Sequence, residues 1–246
     1  MEADIYIFEL ISAVVYLAVG TRLFALSRST RGRPEYLLAL NYLCLGVSYV
    51  LYQDPGLIKS DLPWTLIAAR IIYSVGMVPL LLFTRDVFRN GTRWANALVW
   101  LTTVILFSGV LFSTLDGDIE GVNISSVWFW CDWVGYTAPY IWISTEALIA
   151  YSAARKREAL GFCKPEVRNR YLLWAFFGIL AMIASIALVP LYVELAATQV
   201  WPRWGDYTSG GFEAAGTVVL WFAFFPPAFY RRWISRTAAT PSDAAH

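Results

Sequence analysis

Residues 127–157 read VWFWCDWVGYTAPYIWISTEALIAYSAARKR. The stretch is long and apolar enough to cross a membrane, yet Asp132, Pro139 and Glu146 interrupt it at intervals of seven residues. On a helix a seven-residue step slips by only ~20°, so the three share one stripe. Tyr136 lies one turn from Asp132 on the same side. At a rise of 1.5 Å per residue the two carboxylates are about 21 Å apart, which puts one near each end of an apolar layer ~30 Å thick. A membrane helix with an acid near each end frames the rest of the reading.

The composition agrees. The chain is 58% hydrophobic and 15% charged, with a mean hydropathy of +0.53, whereas soluble domains carry about a quarter charged residues. His246 is the only histidine, which excludes histidine-ligated haem, histidine zinc sites and Ser-His catalysis. Cys44, Cys131 and Cys163 are scattered and form no CxxC pair, so neither a disulfide framework nor a metal site is expected. No catalytic constellation is visible. The start, MEADIYIFEL, lacks the basic residues of a signal peptide and reads as a permanent helix. Lysine occurs only at Lys59, Lys156 and Lys164, an arginine excess that suggests a GC-rich bacterial genome.

Working outward, seven apolar segments can be drawn: 5–25, 36–52, 64–83, 94–112, 127–153, 171–191 and 212–230. The fold expected is an all-α integral membrane protein, a single seven-transmembrane-helix bundle over residues 1–236. The tail 237–246 is small, polar and expected to be disordered. Sixteen Lys/Arg residues, Arg22 near the end of the first span among them, lie on one side, and only Lys59 and Arg203 on the other. The bias predicts the N-terminus outside and the C-terminus cytoplasmic. A bacterial inner (plasma) membrane is the expected location. The basic loops are read as orientation determinants against anionic headgroups, not as a nucleic-acid surface.

Two polar sites follow from depth. Arg70 lies about as far into the third span as Asp132 into the fifth. An unpaired arginine in a span costs at least ~2.5–3.5 kcal/mol, so the two are expected to pair or share a polar cavity. Glu9 lies at a similar depth in the first span. Tyr73, Trp133 and Tyr136 are deep enough to need hydrogen-bond partners and are candidate pocket walls. Trp64, Trp128 and Trp130 fit an aromatic belt. Towards the other side, Glu146 is matched in depth to Asn41 and Arg22. Pro79, Pro139 and the Pro226-Pro227 pair are expected to bend their helices.

Seven spans with the N-terminus outside resembles, in topology, the heptahelical receptors and the retinal-binding rhodopsins. Pro227-Ala228-Phe229-Tyr230 looks like the Pro-x-x-Tyr of the G-protein-coupled receptors, with Pro226 where they carry asparagine. Thr84-Arg85-Asp86 stands where those receptors have an acid-arginine-aromatic triplet, and their extracellular disulfide has no counterpart. The rhodopsins' Schiff base needs a lysine in the last helix, and 212–230 has none. These residues assign no family. The function expected is that of a small heptahelical sensor, receptor or accessory subunit binding a small or amphipathic ligand in an outward-facing cavity. Arg70 and Asp132 would supply the charge there. No cofactor is expected, although a bound lipid or carotenoid is compatible with the composition. The partners expected are the bilayer and a membrane or cytoplasmic protein. The alternative is a transporter or channel with Asp132 and Glu146 as coupling carboxylates.

Overall fold

A computed structural model describes residues 3–52, 63–200 and 202–238. Among them every secondary-structure element is a helix: α1 (Ala3–Thr30), α2 (Arg33–Tyr52), α3 (Pro63–Phe88), α4 (Arg93–Leu115), α5 (Val127–Ala159), α6 (Pro165–Thr198), α7 (Arg203–Phe224) and α8 (Ala228–Ala238). Each of the first seven packs against its neighbour in sequence, α7 returns to α1, and α3 also meets α5. The result is a closed ring of helices around a common interior.

Five helices, α1 to α4 and α6, are long and apolar enough to cross a membrane. The pair Tyr207–Phe224 and Ala228–Ile234, bent by 78° at a short break, would make a sixth as one broken span. This is the make-up of a multi-pass helical membrane protein. α5 does not qualify on composition, although it runs for 33 residues. Its polarity is directional. Asp132, Pro139 and Glu146 are all buried, as their shared stripe predicts, while Val127, Val134, Ile141 and Leu148 form an exposed apolar stripe at the same seven-residue step.

The ring inverts the usual soluble pattern. Trp100, Leu101 and Val104 on α4 and Ile186 on α6 face outward, whereas Asn41, Ser48, Arg70, Ser74 and Thr102 are buried. The apolar part of the interior, with Leu80, Phe83, Leu106 and Ile143, fills the middle of the bundle. Small residues set the closest approach of α4 to α5: a methyl on Gly109 would lie 2.4 Å from the Asp132 nitrogen. Ser126 caps α5, accepting from the Trp128 N–H at 3.2 Å.

Several boundaries differ from the sequence reading. α3 continues to Phe88, one turn past residue 83, and α5 reaches Ala159. α7 begins at Arg203, not near 212, taking in Gly205, Gly210 and Gly211. Glycine lowers helix propensity by about 1 kcal/mol, but here Gly205 lets α7 close on Leu191 of α6, and packing overrides propensity. The helices run on through Pro79, Pro139 and Pro190. The chain breaks at Pro226-Pro227, so the expected seventh span divides into α7 and α8. Residues 237 and 238 of the expected tail belong to α8. Residues 239–246 and the 53–62 connection, with Lys59, lie outside the described residues.

Candidate functional site

Arg70, on the second turn of α3, is 1% exposed, and its environment is built to hold it. Nη2 lies 2.7 Å from Asp132 Oδ2 on α5 and donates to Ser113 Oγ on α4 at 2.8 Å. Nη1 donates to the carbonyls of Asp118 and Ile119, both at 3.0 Å. Three helices and the α4–α5 loop thus converge on one guanidinium. The loop is shaped for the task. The Asp118 carboxylate accepts the backbone N–H groups of Val122 and Asn123 at 3.0 and 3.1 Å. Gly121, at φ 70°, lies so close that a Cβ there would sit 2.7 Å from Arg70 Nη2. Removing two ions from water costs several kcal/mol each, so a buried pair persists only where its remaining donors and acceptors are met. For Arg70 they are met generously. Asp132 is met less fully: Oδ2 takes the Arg70 bond, while Oδ1 is buried with the Tyr136 hydroxyl as its neighbouring donor.

Asp132 lines a cavity of ≈ 220 Å³ between α2, α3, α5 and α6, with Glu120 and Gly121 of the α4–α5 loop at one edge. Its walls are aromatic: Tyr49 and Tyr52 from α2, Tyr73 from α3, Phe129, Trp133 and Tyr136 from α5, and Tyr192 from α6. Local bonds fix these rings. Tyr73 and Tyr136 meet edge to face with centroids 4.7 Å apart. Their hydroxyls turn apart, Tyr73 to Tyr140 and Tyr136 to Ser74 Oγ, each at 3.3 Å. Trp133 donates its indole N–H to the Ser185 carbonyl at 2.9 Å. A phenol or indole inside an apolar layer needs such partners, and meeting them here leaves the ring carbons to line the space.

A third carboxylate stands behind this wall. Tyr16 of α1 donates to Glu213 Oε1 of α7 at 3.1 Å, and the Tyr16 ring packs on Tyr42 and Tyr49 with centroids 5.9 and 5.8 Å away. The bond joins the first helix of the ring to the seventh. The sequence reading did not single out Glu213, although an acid inside a span is a functional candidate by default. Tyr49, Tyr52 and Tyr192 were likewise not assigned to the site.

The opposite end of the bundle corrects the second expected cluster. Glu146 Oε1 lies 2.7 Å from Arg89 Nε and accepts from the Trp142 indole at 3.3 Å; Arg22 and Asn41 are not its partners. Asn41 donates to the Gly76 carbonyl at 2.8 Å, tying α2 to α3. Arg22 lies over the Phe225 ring, 3.9 Å from its centroid, against α7. The extra turn of α3 brings Arg89 round to α5, while α1 and α2 lie elsewhere in the ring. Arg89 also lies 5.6 Å from the Trp94 centroid. The hollow beside Glu146, ≈ 320 Å³, is walled by Val87, Phe88, Ala150, Ala153 and Tyr171.

Of the residues selected from sequence, Arg70, Asp132, Tyr73, Trp133 and Tyr136 are thus brought together, Arg70 behind the cavity wall and the other four on it. The side chain of Glu9 lies outside the described ones. Comparison does not extend the assignment. No family model, curated protein or solved structure matches the chain. Among the described residues no group of three His, Cys, Asp or Glu side chains could hold a metal ion.

Proposed function

We propose that the protein is a heptahelical membrane protein of sensor, receptor or accessory-subunit type, and that its ligand occupies the tyrosine-lined cavity beside Asp132. The observation that carries this reading is the cavity itself: an aromatic chamber with a buried carboxylate held in place by Arg70. Pockets with apolar walls and a few convergent polar groups are the usual form of small-ligand sites. α5 counts as the seventh span in this reading, because its polar stripe is buried and its outward stripe is apolar. The excess of Lys/Arg at the Glu146 end supports an orientation with that end towards the cytoplasm and the cavity towards the outer face. The basic connections then offer a surface to a membrane or cytoplasmic partner.

The transporter reading, with Asp132 and Glu146 as coupling groups, has less support. Each carboxylate is tied to its own arginine, and the apolar interior around Leu106 and Ile143 lies between them.

Native mass and absorption measurements on protein purified in mild detergent test the proposal. A stoichiometric small molecule, retained by the wild type and lost in Trp133→Leu, is the expected result. Wild-type protein that carries no such mass, and whose thermal midpoint is unmoved by any member of a panel of small amphiphiles, would remove the basis for it.

A further inference from the structure

The charge balance around the cavity narrows the ligand further, given the ligand-binding reading above. Arg70 is one positive charge among three acidic residues, Asp118, Glu120 and Asp132. Its guanidinium is spent on Asp132 Oδ2, Ser113 and two carbonyls. Among the described residues no lysine, arginine or histidine lines the cavity. An anion entering it would meet Glu120 and Asp132, with the one nearby positive charge, Arg70, already paired to Asp132, and would carry a large desolvation cost. A cation meets the reverse: Glu120 and Asp132, and seven ring-bearing walls whose faces attract positive charge. The volume of ≈ 220 Å³ is at or below the small end of ligand pockets, ~300–1,000 Å³, so the occupant is compact.

We infer that the cavity is a site for a compact organic ammonium ion, its charge and an N–H directed at Asp132 and its carbon part against the tyrosine and tryptophan rings. Either a free amine or the headgroup of an ethanolamine phospholipid carries that chemistry.

The experiment uses the full chain in lipid nanodiscs of phosphatidylcholine, whose headgroup has no N–H. Benzylamine, protonated at neutral pH, is titrated beside benzyl alcohol, its neutral counterpart, with tryptophan fluorescence and thermal midpoint as readouts. Benzylamine is expected to shift both and benzyl alcohol neither. Trp133→Leu should weaken benzylamine about tenfold, the scale of a desolvated cation–π contact. Glu120→Gln, a change at the exposed edge, should weaken it severalfold at low salt and less at high salt. Asp132→Asn should abolish the response. If that variant does not fold, the other two carry the test.

Discs containing phosphatidylethanolamine separate the sources. A benzylamine response suppressed there identifies the headgroup as occupant, and an undiminished one identifies a free amine. Equal responses to benzylamine and benzyl alcohol, both lost in Trp133→Leu, would overturn the ammonium assignment while leaving the cavity a ligand site. No response to either, with no small molecule retained on purification, would overturn both. A benzylamine response unchanged in Trp133→Leu and Glu120→Gln places binding elsewhere and also overturns it.

Discussion

Two arginines, Arg70 on α3 and Arg89 just past its end, each reach a carboxylate on α5, and the two pairs are equally short. Arg70–Asp132 and Arg89–Glu146 both measure 2.7 Å. They differ in surroundings. The Arg70 and Asp132 side chains are 2% and 7% exposed, while Arg89 is 36% exposed against a Glu146 at 6%. Arg70 is enclosed by a loop folded around it, and Arg89 rests on one tryptophan at the rim. Distance therefore says little about what an ion pair contributes. What decides is whether water can replace the partner once it is removed.

Substitutions at and around the two pairs test that difference. The largest effect is expected from Arg70→Ala, which leaves Asp132 charged and buried. Its loss should be roughly 3–5 kcal/mol by equilibrium unfolding in mixed micelles. Adding Asp132→Ala to it should recover part of the loss, and additive effects in the double-mutant cycle would mean that the two do not interact. Gly121→Ala comes next. A side chain at φ 70° is strained and would meet Nη2, so a loss of about 1–2 kcal/mol is expected from backbone strain alone. An unchanged midpoint would show that the loop is not held on the guanidinium. The smallest effect belongs to Arg89→Ala, since water reaches that carboxylate's partner. Its shift in thermal midpoint should be well below that of Arg70→Ala and should shrink as salt is added. A salt-insensitive loss matching that of Arg70→Ala would erase the distinction.

The same contrast explains what could be read from the chain. Arg70 and Asp132 were matched by counting residues from the ends of two spans, because an apolar layer penalises a lone charge so heavily that few partners remain. The walls Tyr73, Trp133 and Tyr136 followed from the same depth argument. Counting fixes depth and leaves azimuth open. At the depth of Glu146 the residues Arg22, Asn41 and Arg89 were all within reach. The choice fell to Arg89 through one further turn of α3 beyond residue 83, up to the Asn90-Gly91 turn, a polar turn that lies outside the apolar run from which the span was drawn. The early start of α7 was hidden for a different reason. Gly205, Gly210 and Gly211 read as turn residues, and their value appears only when α6 is alongside. Glu213 was overlooked because it lies just inside the expected start of the seventh span, where an acid is easily assigned to the boundary.

The bond from Tyr16 to Glu213 spans 197 residues of sequence. Every other wall of the ring joins consecutive helices and can form as those helices emerge. At ~5–20 residues per second, roughly 10–40 s of synthesis separate α1 from the partner that closes the ring. During that interval α1 has only α2 to pack on, and the polar edge of Tyr16 must be met by lipid headgroups, water or the insertion machinery. Closure of the ring is therefore an event late in the protein's biogenesis, and a chain that stops short of Glu213 would leave its first helix without that hydrogen-bond partner.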